Sequence, residues 1–177
     1  MIKHPDQRVG IFIDVQNLYY SAKNLYDAKV NFSEIVKVGI ADRKLIRAIA
    51  YVVKTQTGEE RPFFTALTNA GIETKERDLQ IFFGGAKKAD WDVGIAVDAI
   101  RLSPSLDAII IVSGDGDFIP VVEYLQNQGK QVEVIAFKET SSSKLLEKVD
   151  DFTDLSADKK KFLISEKIPK KKRIFSS

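Results

Sequence analysis

Cysteine is absent from the 177 residues, and histidine occurs once, as His4. The first absence excludes disulfides, zinc–thiolate sites and thiol nucleophiles. The second excludes Ser-His-Asp and Cys-His catalysis and any histidine-rich metal site. No apolar run approaches the ~18 residues of a membrane-spanning helix, and the N-terminus has no signal-peptide core. The sequence therefore reads as a soluble, cytoplasmic protein with no membrane partner. Its chemistry must come from carboxylates, hydroxyls, lysines and arginines.

What is present suffices for one domain with a core, since 44% of the residues are hydrophobic. The net charge of +2 conceals an asymmetry. From Ser156 onward there are eight Lys/Arg against two Asp/Glu, which leaves 19 against 23 in the first 155 residues. The expected organisation is a mildly acidic domain over 1–155 and a basic, flexible tail over 156–177. That tail, with clusters around an apolar patch, reads either as a solubilising end or as an electrostatic arm for RNA.

Apolar strands alternate with helical patterns along the body. Strands are expected at 9–15, 44–55, 107–113 and 131–137, extended segments over 72–84, and a short last strand in "DFTDL". Helices are expected at 17–29, 31–40, 59–71, 90–103, 117–128 and 141–150. This order implies a three-layer α/β/α sandwich around a mostly parallel sheet, Rossmann-like in its winding. Functional groups in such folds gather beyond the carboxyl ends of the strands.

Two strands end there in acid. Asp14 closes "VGIFID", and Asp115 and Asp117 follow "AIIIVSG". One aspartate could serve as a helix cap; three at one sheet edge exceed that need. The helix "DWDVGIAVDAIRL" adds Asp92 and Asp98. Its stripe of Val93, Ala96, Val97 and Ile100, with Trp91, Ile95 and Leu102 opposite, suggests packing on more than one face. Asp92 has a bland role at the helix dipole. Asp98 in mid-helix needs a partner or a metal, and Arg101 three residues on is the alternative partner. Converging carboxylates repel one another unless a cation is held, and oxygen-only ligands select hard ions such as Mg²⁺ or Mn²⁺. Such ions suit phosphodiester hydrolysis. A phosphatase using an aspartyl phosphate is the rival class, but its Asp-x-Asp after the first strand is absent, because position 16 is glutamine. Ser113 could bond a phosphate or an adjacent acid, and Lys87 and Lys88 could meet substrate phosphates. One of Tyr19 and Tyr20 is expected to pack and the other to be free for a base. Trp91 reads as core.

The segments "FIDVQNLYY", "KKADWDVGIAVDAIRL", "IIIVSGDGDFIPVVEYLQNQGKQVEVIAF" and "SSSKLLEKVDDFTDL" occur in the order that resembles the NYN domain family, in particular its LabA-like branch, related to the PIN-domain nucleases. The resemblance spans about residues 8–155. It implies a PIN-like fold and a metal-dependent ribonuclease acting on RNA, read here as single-stranded. Asp14, Asp92, Asp115 and Asp117 would be the catalytic, Mg²⁺- or Mn²⁺-binding carboxylates and Asp98 a lesser member of the set. Asn17 would orient Asp14 or the substrate. The chain departs from the family's Lys-Gly-x-Asp segment, with Lys88 or Ala89 at the glycine and Asp90 as an extra acid. The alternative function is a non-catalytic RNA- or protein-binding regulatory module of the same fold, and a homo-oligomer is left open.

Overall fold

The structure is a computed structural model. It describes residues 1–165 other than 56, 59, 82, 86 and 89, and the backbone alone of 81, 87 and 88. In chain order the elements are β1 (Arg8–Asp14), α1 (Val15–Tyr26), β2 (Ala28–Val30), α2 (Phe32–Ile40), β3 (Lys44–Lys54), α3 (Arg61–Asn69), β4 (Glu73–Asp78), β5 (Gln80–Ile81) and β6 (Lys87–Lys88). There follow α4 (Asp92–Leu102), β7 (Ala108–Val112), α5 (Ile119–Asn127), β8 (Gln131–Ala136), α6 (Ser143–Lys148), β9 (Asp151–Asp154), α7 (Lys159–Phe162) and β10 (Leu163–Ser165).

Six strands form the central sheet in the order β4-β3-β1-β7-β8-β9, every pairing parallel. This is the three-layer α/β fold expected from the alternation. Ile11 and Ile13 of β1 join Ile110 and Val112 of β7 in one core, beneath α1, α2, α3 and α7. Phe12, Ile109 and Ile111 point to the other, beneath α4, α5 and α6. A strand buried on both faces has no reason to alternate with polar residues, which is why "AIIIV" is apolar throughout. Among the described residues, no helix is long and apolar enough to cross a membrane.

Two sequence expectations need correction. The helix expected over 17–29 ends at Tyr26, with Asp27 in the left-handed region at φ 46°, and 28–30 is a strand. Its partner is β10, paired antiparallel with Leu163 opposite Val30. Phe162 fills the core beneath α2, so the chain is ordered past Ser156 through residue 165. Three-residue strands joined across the whole chain leave no periodicity to read. The second concerns α4, whose stripe of Val93, Val97 and Ile100 faces outward, Val93 at 74% exposure and Val97 at 54%. Ile95 and Ala99 are the residues against the sheet, so the helix packs on one face.

At the amino-terminal ends of the strands, Arg43 and Glu133 form a buried bidentate pair at 2.6 and 3.1 Å. The same guanidinium donates to the carbonyls of Gly39 and Ile40.

Candidate metal centre

β1 and β7 lie side by side, so their carboxyl ends bring Asp14 next to the 113–117 turn. Asp14 caps α1, its Oδ1 accepting from the Asn17 N–H at 3.1 Å. Its Oδ2 accepts from the Ser113 hydroxyl at 3.2 Å. Asn17 returns the link, its side-chain oxygen accepting from the Gly114 N–H at 3.2 Å. Ser113 Oγ also accepts from the Asp115 N–H, and Asp115 Oδ1 from the Asp117 N–H at 2.9 Å. Two strand ends are thus stitched into one rigid corner.

Gly114 and Gly116 serve close approach at this corner, for neither is among the glycines with positive φ. A Cβ on Gly114 would stand 2.9 Å from Ser141 Cα, and one on Gly116 would stand 2.9 Å from Ser142 Oγ. The loop before α6 therefore packs directly on the turn, and the Ser142 N–H donates to the Gly114 carbonyl.

The third wall is the start of α4. Trp91 donates its indole N–H to the Val52 carbonyl at 2.9 Å and packs edge-on against Tyr51, while the Arg77 guanidinium covers its ring. As expected for Trp91, this is packing, and it anchors the following residue, Asp92. Carboxylate oxygens of Asp92, Asp115 and Asp117 all lie within 4.8 Å of one another. Asp92 and Asp115 are half-buried and Asp117 is exposed.

The electrostatics are those of crowded acids. Burial pushes the Asp92 carboxyl up to about 6, and the charges of Asp14, Asp115, Asp90 and Asp117 push in the same direction. Burial also raises Asp14, which is 7% exposed. Its bonds from Asn17 and Ser113 oppose that rise, and the charges of Asp115 and Asp90 reinforce it. Three carboxylates without His or Cys, among them an Asp92 whose charged form is disfavoured by burial and by its acidic neighbours, fit a divalent cation.

Asp98 is not brought into this cluster. Its carboxylate accepts from Tyr51 Oη at 2.7 Å, Lys75 Nζ at 2.6 Å and Arg101 Nη2 at 2.9 Å. Burial raises its pKa, but these three donors outweigh that and hold it below the usual range. The protein's own cations neutralise it. Arg101 was legible in the sequence; Lys75 and Tyr51 come from other strands and were not.

Ser113 is fully buried, so its hydroxyl positions Asp14 and does not face a substrate. Asn17 clasps the turn through Gly114. Both Tyr19 and Tyr20 are exposed, where one had been expected to pack. Lys87 and Lys88 pair with Ile81 and Gln80 as a two-residue strand, but their side chains lie outside the described residues, as do the tail's basic residues beyond 165. Asp90 adds charge to both Asp14 and Asp92, a contribution its place beside the motif had only hinted at.

Comparison with known proteins gives four results. The family model described as NYN domain matches residues 8–156. The chain is 24% identical over 164 residues to the low amplitude and bright protein LabA of Synechococcus elongatus, with 84% of each chain covered. It is 33% identical to an uncharacterized protein of Methanocaldococcus jannaschii, over 95% of this chain and 62% of that one. Among solved structures, a protein of unknown function from Vibrio parahaemolyticus superposes with a TM-score of 0.82 at 31% identity, covering 93% of this chain and all of that one.

Proposed function

Because the chain belongs to the NYN domain family, we propose that it is a divalent-metal-dependent ribonuclease cutting phosphodiester bonds in single-stranded RNA. The observation that carries this reading is the convergence of Asp92, Asp115 and Asp117 within 4.8 Å, with the charges of Asp14, Asp90, Asp115 and Asp117 all pushing the Asp92 carboxyl up. A bound Mg²⁺ or Mn²⁺ supplies Lewis-acid stabilisation of the charge that builds up during phosphodiester hydrolysis.

The chain's own groups divide the remaining work. Asp92, Asp115 and Asp117 hold the ion. Asp14, fixed by Ser113 and Asn17, keeps the field at the corner negative and its geometry constant. Lys87, Lys88 and the basic residues from Lys159 onward attract the RNA backbone, a contribution that weakens with salt.

The test is cleavage of single-stranded RNA in Mn²⁺, with and without EDTA, by wild type and Asp115→Asn. Wild-type activity lost to EDTA and to the substitution is the expected result. Equal trace activity in both proteins would mean contamination and would sink the reading.

A further inference from the structure

The face of the sheet opposite α4 carries a groove that the acids do not use. A cavity of about 620 Å³ lies between α1, α2 and α3, within the size range of small-ligand pockets. Its wall is aromatic, with Tyr19 and Tyr20 from α1, Phe32 from α2, and Phe63 and Phe64 from α3. Phe63 meets Phe32 at 5.6 Å and Phe64 at 5.9 Å between ring centroids. Tyr19 and Tyr20 stand edge to face at 5.3 Å. They are 48% and 53% exposed, so the hydroxyl-bearing rings are open to solvent, while Phe63 and Phe64 are partly buried and Phe32 is buried.

The groove borders the acidic corner at two places without including the acids. Val15 and Gln16 line it and directly follow Asp14. Val52 lines it too, and its carbonyl holds the indole of Trp91, the residue before Asp92. A chain whose phosphate rests on the acids therefore has this groove beside it.

The chemistry of the lining selects the occupant. Among the described residues its charged lining residues are Lys29 and Glu60, one of each sign, so the lining is not a phosphate-binding cluster of cations. Aromatic faces instead suit a neutral planar ring with polar edges, and base–aromatic stacking is indifferent to sequence. Bases in a duplex are already stacked and paired, so they cannot enter.

We propose that this groove is a base-binding subsite, receiving unpaired nucleobases of the strand whose backbone crosses Asp92, Asp115 and Asp117. The inference rests on the ribonuclease reading for the acids. It adds the physical source of a preference for single strands.

The experiment measures binding in EDTA, so that no cleavage is needed. Fluorescence anisotropy compares a short labelled oligouridylate, an abasic oligomer of equal length and a blunt RNA duplex on the full chain. Wild type should hold the oligouridylate more tightly than the other two. Tyr20→Ala and Phe64→Leu should each weaken it about tenfold, within the range of one stacking contact, and leave the abasic oligomer unchanged. Tyr20 is exposed, so its replacement does not threaten the fold. Equal affinity for the base-bearing and abasic oligomers would overturn the proposal. So would an apolar dye that both substitutions expel and oligouridylate does not displace, which would assign the groove to another apolar ligand. Base-dependent binding without Mn²⁺-dependent cleavage would leave the subsite standing and remove only the nuclease reading.

Discussion

Ser113 donates its hydroxyl to Asp14 across 99 positions of sequence, inside the core. The bond joins the ends of two adjacent strands and partly offsets the burial of the Asp14 carboxylate, whose pKa is nevertheless raised. Ser113→Ala removes that donor and an acceptor for the Asp115 N–H. The expected cost is about 1–3 kcal/mol, read as a lower urea midpoint at neutral pH. An unchanged midpoint would leave the serine without this role.

Asp92 makes the metal-free protein less stable as pH rises. Its carboxyl is shifted from an ordinary 3.8 up to about 6. Between those values the folded protein keeps a proton that the unfolded chain has released, so stability falls as pH climbs through the window. In EDTA, Asp92→Asn should therefore melt above wild type at pH 7 and approach it near pH 4. Mn²⁺ should raise the melting temperature of wild type and not of the variant, and less so below pH 6, where protons compete with the metal. A pH dependence between 4 and 7 that is the same in wild type and Asp92→Asn would contradict the raised Asp92 carboxyl.

Calorimetry with Mn²⁺ separates Asp98 from the acids of the cluster. Asp98 is occupied by Tyr51, Lys75 and Arg101, so Asp98→Asn should cost about 1–3 kcal/mol of stability while keeping the heat of Mn²⁺ binding. Asp115→Asn should keep its stability and lose the heat. A folded Asp98→Asn protein that no longer takes up Mn²⁺ would return Asp98 to the metal set.

The Arg43–Glu133 pair sits far from the acids and tests the fold alone. Glu133→Leu strands a buried guanidinium and should cost about 3–5 kcal/mol, whereas Arg43→Met with Glu133→Leu should recover most of that loss. Urea unfolding of both single variants and the double reads the coupling directly. Additive losses would show that the pair does not act as a unit.

The sheet was legible because β1, β3, β7 and β8 are buried on one or both faces, and such strands announce themselves as apolar runs. The acids at their ends followed from the rule about carboxyl edges. Asp98 was harder: in mid-helix a ligand and an ion-pair partner look alike, and Tyr51 and Lys75, which decide the matter, lie 47 and 23 residues away. The outward stripe of α4 failed for a similar reason. Val93, Val97 and Ile100 recur with helical spacing, but periodicity cannot say which of two apolar stripes meets the sheet. The aromatic groove had no sequence signature, since α1, α2 and α3 each contribute only part of it.

β1 is the first strand made, yet both of its neighbours come later, β3 from Lys44 and β7 from Ala108. During synthesis its inner hydrogen-bonding edge on the β7 side must wait until Val112 has emerged. Asp115 and Asp117 arrive with that same strand. The step that pairs β7 with β1 is therefore also the step that assembles the acidic corner, and no shorter nascent chain possesses the cluster.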